Sequence, residues 1–309
     1  VPRLESRLNP GIISVLQTPF DAEGHFDSAS MGRLVEDAIQ SGVNGFLVPA
    51  VASEVAFLTE AERFEIVRLV ANVNAKRVPI ILGASAYEAS ECQKFASLTE
   101  EIEAAAWLVA VPGELYEQPD RIVPFFQEVS SATETPLIIQ DLQWNGSGLN
   151  IAQMEELQQA LPTLDGIKIE TVPAGPKYTA VRERFGDDFF IAGGWAVPQW
   201  IEALDRGVDA MIPETAMIPV YAAILNDYQT GNRARALDRF RRLLPVLTFT
   251  NQEIGLSIAF FKRLLVRRGI FKHDTMRLPG FTWDRYNDRI ANELIELYFE
   301  LENEFGGHD

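Results

Sequence analysis

Eight short runs of aliphatic and β-branched residues, each followed by a stretch of helical periodicity, restrict this chain more than any other feature. They are Ile12-Ile13-Ser14-Val15-Leu16, Gly45-Phe46-Leu47-Val48, Val78-Pro79-Ile80-Ile81-Leu82, Trp107-Leu108-Val109-Ala110-Val111, Leu137-Ile138-Ile139, Gly166-Ile167-Lys168-Ile169, Phe189-Phe190-Ile191-Ala192 and Asp209-Ala210-Met211-Ile212. Runs without polar alternation are what parallel strands covered on both faces look like, because neither face meets water. The distance between successive runs falls from about 33 residues to about 20, enough for one crossover helix and never for an inserted domain.

The intervening helices have readable ends. Ser28 to Ser41 carries Met31, Leu34, Val35 and Ala38 at helical spacing and stops at Gly42, and Thr59-Glu60-Ala61-Glu62 opens the next with acids in its first turn. Ser90 to Glu103 and Pro198 to Leu204 read likewise. Strand followed by helix, eight times, closes best as an α/β fold of the (β/α)8 TIM barrel type. A doubly wound sheet is the alternative, but no Gly-x-Gly-x-x-Gly follows the first strand to support it. Beyond Gly231 the pattern is helical throughout: Asn232 to Leu247, Asn251 to Arg268 and, after the break Arg277-Leu278-Pro279-Gly280, Trp283 to Glu304. The expected organisation is a barrel with an N-terminal arm over residues 1–231 and a C-terminal helical region over 232–309.

Composition narrows the function classes. A formal net charge of -17 argues against a sequence-independent grip on nucleic acid or an anionic membrane, both of which need a basic face. No apolar run approaches the ~20 residues of a membrane helix, and Val1-Pro2-Arg3-Leu4-Glu5 has no apolar signal core. The single cysteine, Cys92, excludes an intrachain disulfide and fits a reducing compartment, with the cytoplasm as default. His25, His273 and His308 do not cluster and no Cys-x-x-Cys spacing occurs, so a zinc-type site is not expected, while oxygen ligands for a metal are left open; no cofactor is expected.

Lys168 stands out against this background, because an ammonium in the middle of a core strand is costly and a neutral amine attacks carbonyl carbon. The other lysines, Lys76, Lys94, Lys177, Lys262 and Lys272, fall in loops or on helices, where a solvated surface accounts for them. A partly solvated strand lysine, or one paired with Glu170, is the plain alternative. The active site of a barrel lies at the C-terminal ends of its strands. Those ends carry Val51, Ala52, Ser53 and Glu54 after strand two, Glu114 and Tyr116 after four, and Gln140, Asp141 and Asn145 around five. Glu170 follows on six, Gly193-Gly194-Trp195 on seven and Glu214 on eight, and alternation puts Gly166, Lys168 and Glu170 on one face.

Several motifs in fixed order carry a resemblance. Gly11-Ile12-Ile13-Ser14-Val15-Leu16-Gln17-Thr18-Pro19-Phe20, Gly24 and Gly42-Val43-Asn44-Gly45 lie at the start; Glu54 with Leu58-Thr59-Glu60-Ala61-Glu62-Arg63 follows strand two; Gly166-Ile167-Lys168 and Arg277-Leu278-Pro279 come later. Together they resemble the dihydrodipicolinate synthase and N-acetylneuraminate lyase family of Schiff-base aldolases and lyases over nearly the whole chain. The resemblance implies a barrel with C-terminal helices, a homo-oligomer (tetramer or dimer), and Lys168 as the residue that condenses with a 2-oxo acid.

The departures are as informative. Where the family carries Gly-Thr-Thr-Gly-Glu, this chain reads Ala50-Val51-Ala52-Ser53-Glu54; the family's acid/base tyrosine falls on Gln140, its arginine on Asn145 and a second tyrosine on Glu114. Glutamine does not titrate near neutrality. Losing a general acid/base costs ~10² to 10⁴-fold, so dihydrodipicolinate synthesis itself is not expected. The reading that follows is an aldolase, hydratase or dehydratase acting on a small carbonyl substrate. Lys168, Glu114 and Gln140 are its candidate catalytic residues. Val51, Ala52, Ser53, Asp141, Asn145, Glu170, Trp195 and Glu214 are its candidate binding residues, with Trp144, Trp195 and Tyr116 as walls. A barrel that binds a ligand without turnover is the alternative from another class, and a phosphate-handling isomerase rests on Gly193-Gly194 alone.

Overall fold

A computed structural model describes residues 8–195 and 197–306; most of the N-terminal arm and His308 lie outside the described residues. Strands β1 (Gly11–Val15), β2 (Gly45–Val48), β3 (Ile80–Gly83), β4 (Ala106–Ala110), β5 (Leu137–Leu142), β6 (Leu164–Glu170), β7 (Phe190–Gly193) and β8 (Ala210–Met211) pair in sequence order. Every pair is parallel, and β8 closes on β1. The helices are α1 (Ser28–Gln40), α2 (Glu60–Asn74), α3 (Ala89–Gln93), α4 (Ala96–Glu101), α5 (Ile122–Ser130) and α6 (Ile151–Ala160), then α7 (Gly175–Phe185), α8 (Trp200–Asp205) and α9 (Ile218–Gln229). Three more helices follow: α10 (Arg233–Thr250), α11 (Ile254–Arg267) and α12 (Arg285–Gly306).

The alternation of a pleated strand creates two separate cores. Ile13, Leu47, Ile81, Leu108, Ile138 and Phe190 fill the barrel interior, while Ile12, Phe46, Leu82, Trp107, Ile139 and Ile191 pack outward against the helices. Fully burying one such side chain contributes ~1.5–3 kcal/mol, so both faces of each strand hold it in register. Gly83 and Gly166 mark places where strands approach too closely for a side chain; a Cβ on Gly83 would lie on the Pro49 carbonyl oxygen and one on Gly166 against that of Phe190.

Helix ends follow local chemistry. Thr59 accepts from the Glu62 peptide N–H while the Glu62 carboxylate accepts from Thr59, a reciprocal cap that starts α2. Asn150 and Gln153 do the same for α6. The helix expected from Ser90 to Glu103 is instead divided into α3 and α4, and the break sets Phe95 against the Phe64 ring and beneath the Arg63 guanidinium. No described helix is long and apolar enough to cross a membrane. The final helices fold back on the barrel: α10 and α12 pack on α9, and α11 reaches the turn after β2.

That last contact corrects the expectation for Lys262. Rather than a solvated lysine, it is fully buried, and its amine donates to Glu54 and to the Thr275 carbonyl. Glu54 holds a left-handed backbone (φ 57°) and also accepts the Arg277 and Leu278 peptide N–H groups, each at 2.6 Å. The Arg277-Leu278 segment is thereby tied to the loop after β2.

Candidate active site

At the C-terminal mouth of the barrel lies a cavity of about 500 Å³, within the size range of small-molecule sites. Lys168 lines it. The register of β5, β6 and β7 places Gln140, Lys168 and Ala192 side by side on the inward face. The Lys168 side chain is only 4% exposed, and its Nζ lies 3.3 Å from Glu170 Oε2. Among the described residues lining the cavity, Lys168 is the only basic one.

Glu170 is held from three sides. Gln140 Nε2 donates to Oε2 at 2.5 Å, the Trp195 peptide N–H donates to Oε1 at 2.9 Å, and Lys168 completes the set. Gly194 makes this possible, since a Cβ there would fall 2.1 Å from Glu170 Oε1 and 2.7 Å from Lys168 Cε. Gly194 therefore serves the approach of two site side chains, whereas a Cβ on Gly193 would meet the Tyr178 hydroxyl and Met211.

The remaining sequence candidates divide between the cavity and its surroundings. Val51, Ala52, Asn145, Trp195 and Glu214 line the same cavity as Lys168, Gln140 and Glu170. The Val51 and Ala52 peptide N–H groups open a short 3₁₀ turn, Val51–Ser53, and so have no partner within it. Ser53 is turned into the barrel wall, where its hydroxyl donates to the Leu16 carbonyl at 2.6 Å and accepts the Ala50 N–H. Glu114 is exposed on the turn after β4 and does not line the cavity. Asp141 points outward, with the helix-facing side of β5. It accepts from the Tyr116 hydroxyl at 2.8 Å, from Lys177 and from the Leu149 N–H. Burial and that carboxylate push the Tyr116 hydroxyl far up; held on Asp141, Tyr116 does not line the cavity. Lys177 is likewise no free surface lysine; burial lowers its pKa, against the Asp141 charge.

Trp144 and Trp195 meet edge to face at the rim. The turn between α10 and α11 also lines the cavity, through Thr250, Asn251, Gln252, Glu253 and Ile254, and α11 adds Ser257 and Phe261. Sequence reasoning treats this stretch only as helix core. The signal that marks it is Asn251-Gln252-Glu253, three polar residues between two amphipathic helices. Glu253 spends its carboxylate capping α11, accepting from Gly255 and Leu256 N–H.

Glu214 differs from the other acids. It is 6% exposed, Oε2 accepts the Ala216 N–H at 2.5 Å, and Oε1 has no partner. Burial pushes its carboxyl up from the ordinary value to about 7, although the Tyr221 hydroxyl, the Ala216 N–H and Gln17 favour the anion. Among the described residues no His, Cys, Asp and Glu group could hold a metal ion.

Comparison with known proteins agrees with this architecture. The sequence model of the Dihydrodipicolinate synthetase family matches residues 9–295. An L-2-keto-3-deoxyarabonate dehydratase of Azospirillum brasilense is 28% identical over 276 residues, 87% of this chain and 88% of that protein. A 4-hydroxy-tetrahydrodipicolinate synthase of Pseudomonas aeruginosa is 27% identical over 281 residues, 88% of this chain and 92% of the other. The crystal structure of the dihydrodipicolinate synthase from Rhodopseudomonas palustris superimposes with a TM-score of 0.85 at 20% identity, covering 96% of this chain and 99% of that one.

Proposed function

The chain belongs to the dihydrodipicolinate synthetase family, and from that premise we propose that it is a Schiff-base lyase of the dehydratase type, acting on a 2-oxo acid through Lys168. The observation that carries the reading is Lys168 itself: an inward strand lysine in a cavity, beside a carboxylate that three donors hold in position. Its amine adds to the C2 carbonyl, water leaves, and the protonated imine draws electrons from C3. Glu170, within reach of the same nitrogen, takes the C3 proton. The unpartnered N–H groups of Val51 and Ala52 are the donors available to the substrate carboxylate, where side-chain hydroxyls are absent.

The same residues argue against dihydrodipicolinate synthesis. Gln140 orients Glu170 but carries no titrating proton, and Asn145 brings no positive charge for a second carboxylate. The relative from Azospirillum brasilense, named as a dehydratase of a 2-keto-3-deoxy acid, supports elimination over aldol addition. Borohydride reduction in the presence of a panel of 2-oxo acids, followed by mass analysis of the Lys168 peptide, tests the proposal. A stable adduct on Lys168 is expected, and no adduct with any of them sinks the reading.

The lysine's ion pair with Glu170 also favours a second reading, a barrel that binds ligand without turnover. Binding by thermal shift that survives Lys168→Ala, with no turnover of any ligand, would select it. We further take the protein to be a cytoplasmic homo-oligomer, tetramer or dimer. The buried free thiol of Cys92 supports a reducing compartment, and light scattering on the purified chain gives the assembly.

A further inference from the structure

Resting on the imine reading above, we propose that Glu214 is a second catalytic residue: the acid that protonates the hydroxyl leaving from C4 while Lys168 holds the substrate. Three features of the site lead there.

The first is position. Continuing the alternation of β8, Glu214 falls on the inward face with Ala210 and Ile212, and its side chain lines the cavity. The register through β7 aligns Ile169 with Gly193 and Gly193 with Met211. Glu170 therefore stands level with Ile212, and Glu214 is one inward residue nearer the mouth. The two acids flank the lysine from strands separated by β7, ~10 Å apart around the barrel on strand spacing alone. One lies beside the imine nitrogen, and the other lies further out, where the substrate chain continues beyond C3.

The second is an unmet valence. A buried carboxylate without a cation is costly, and the lysine that could pair with Glu214 already pairs with Glu170. One oxygen is satisfied by the Ala216 N–H, and Oε1 has no partner in the protein. The Tyr221 hydroxyl and the Gln17 amide lie nearby, yet neither closes a hydrogen bond of ordinary geometry. A protonated carboxyl resolves the cost and leaves an O–H seeking an acceptor, which a substrate hydroxyl oxygen supplies. The upward shift of this group through burial points the same way.

The third is elimination among the acids that line the cavity. Glu253 is committed to the α11 cap and Glu170 to three donors. Glu214 is the one with an uncommitted oxygen.

In the reaction, Glu170 takes the C3 proton, and the C–H electrons form C2=C3 as the imine π pair moves to nitrogen. The nitrogen pair then re-forms C2=N, the C2=C3 pair becomes C3=C4, and the C4–O bond breaks with its electrons on oxygen. That oxygen receives the Glu214 proton and departs as water. Hydrolysis of the unsaturated imine frees Lys168, and a proton passes from Glu170 to Glu214 through solvent, so the net change is loss of one water.

The experiment compares wild type with Glu214→Gln on 2-oxo-4,5-dihydroxypentanoate in D₂O and on its 4-fluoro analogue, whose leaving group needs no proton. In the variant, borohydride trapping and exchange of the C3 hydrogens persist, dehydration falls ~10² to 10⁴-fold, and loss of fluoride stays within about tenfold of wild type. Dehydration within about tenfold of wild type overturns the proposal. So does a parallel loss of exchange and fluoride elimination in a variant that melts no lower than wild type, since that marks a structural role. Failure of the imine reading is separate, appearing as absent trapping in the wild type.

Discussion

Gly194 lacks a side chain at the one point where Glu170 needs the space: a Cβ there would lie 2.1 Å from Glu170 Oε1. The clash is with the end of a side chain, but Gln140 and the Trp195 N–H pin that end. Gly194→Ala is therefore expected to push the carboxylate away from Lys168. Overpacking of this kind costs ~1–3 kcal/mol of stability, whereas loss of the aligned acid/base costs ~10²-fold or more in kcat. Steady-state kinetics beside a melting curve tests this, and a variant with wild-type kcat contradicts the assigned role of the Lys168–Glu170 contact.

Gln140 donates to the same carboxylate from the neighbouring strand, at 2.5 Å. Gln140→Leu keeps the volume close and removes the donor, leaving Glu170 with the Trp195 N–H and the lysine. An unsatisfied buried acceptor costs ~1–3 kcal/mol. If that cost falls on the transition state, kcat drops ~10 to 10²-fold while KM stays near its wild-type value. A change confined to KM would place Gln140 on the substrate and not on Glu170.

Stability should depend on pH through Glu214. Its carboxyl is raised by burial to about 7 against an ordinary value of 4.5, so between these values the folded state binds more protons than the unfolded chain. Stability from this group therefore falls as pH rises through that window, and above about 7 the cost of burying the anion is fully present. The facing groups are Gln17, the Ala216 and Met217 peptides, Tyr221 from α9 and Tyr298 from α12; both tyrosines are pushed well above their ordinary range. Glu214→Gln should gain on wild type by a few kcal/mol between pH 5 and pH 8, since a tenfold difference in proton affinity between folded and unfolded chain is worth ~1.4 kcal/mol. Denaturant titrations of both proteins at the two pH values measure it; equal differences at both would show that Glu214 ionises freely.

Much of this architecture is legible in the sequence because parallel strands buried on both faces leave continuous apolar runs, and all eight appear where Ile12, Gly45, Ile80 and their successors announce them. Lys168 and Glu170 are legible for the same reason, as polar breaks at period two on an inward face. The same parity rule, applied to β5, separates Asp141 from Gln140 and explains why the former braces Tyr116 and Lys177 outside the barrel. What the sequence hides are contacts made only by folding. The α10–α11 turn that closes the cavity and the partner of Lys262, 208 residues away at Glu54, carry no local periodicity.

That long-range pair couples the C-terminal helices to the Val51–Ser53 turn, whose Val51 and Ala52 line the cavity. Both the Lys262 and Glu54 side chains are fully buried, the amine lies over the Phe20 ring, and burial draws its pKa down to about 8 against the pull of the Glu54 charge. Lys262→Met fills similar volume but strands Glu54, with two peptide N–H groups as its remaining partners. Removing one member of a buried pair destabilises by ~3–5 kcal/mol, read as a lower melting temperature. Because the Val51–Ser53 turn immediately precedes Glu54, the variant should also raise KM by loosening the peptide donors of Val51 and Ala52. Adding Glu54→Gln removes the stranded charge and should return part of the stability without returning KM. A double variant as unstable as Lys262→Met alone would show that the packing around Phe20, and not the charge pair, holds α11 to the barrel.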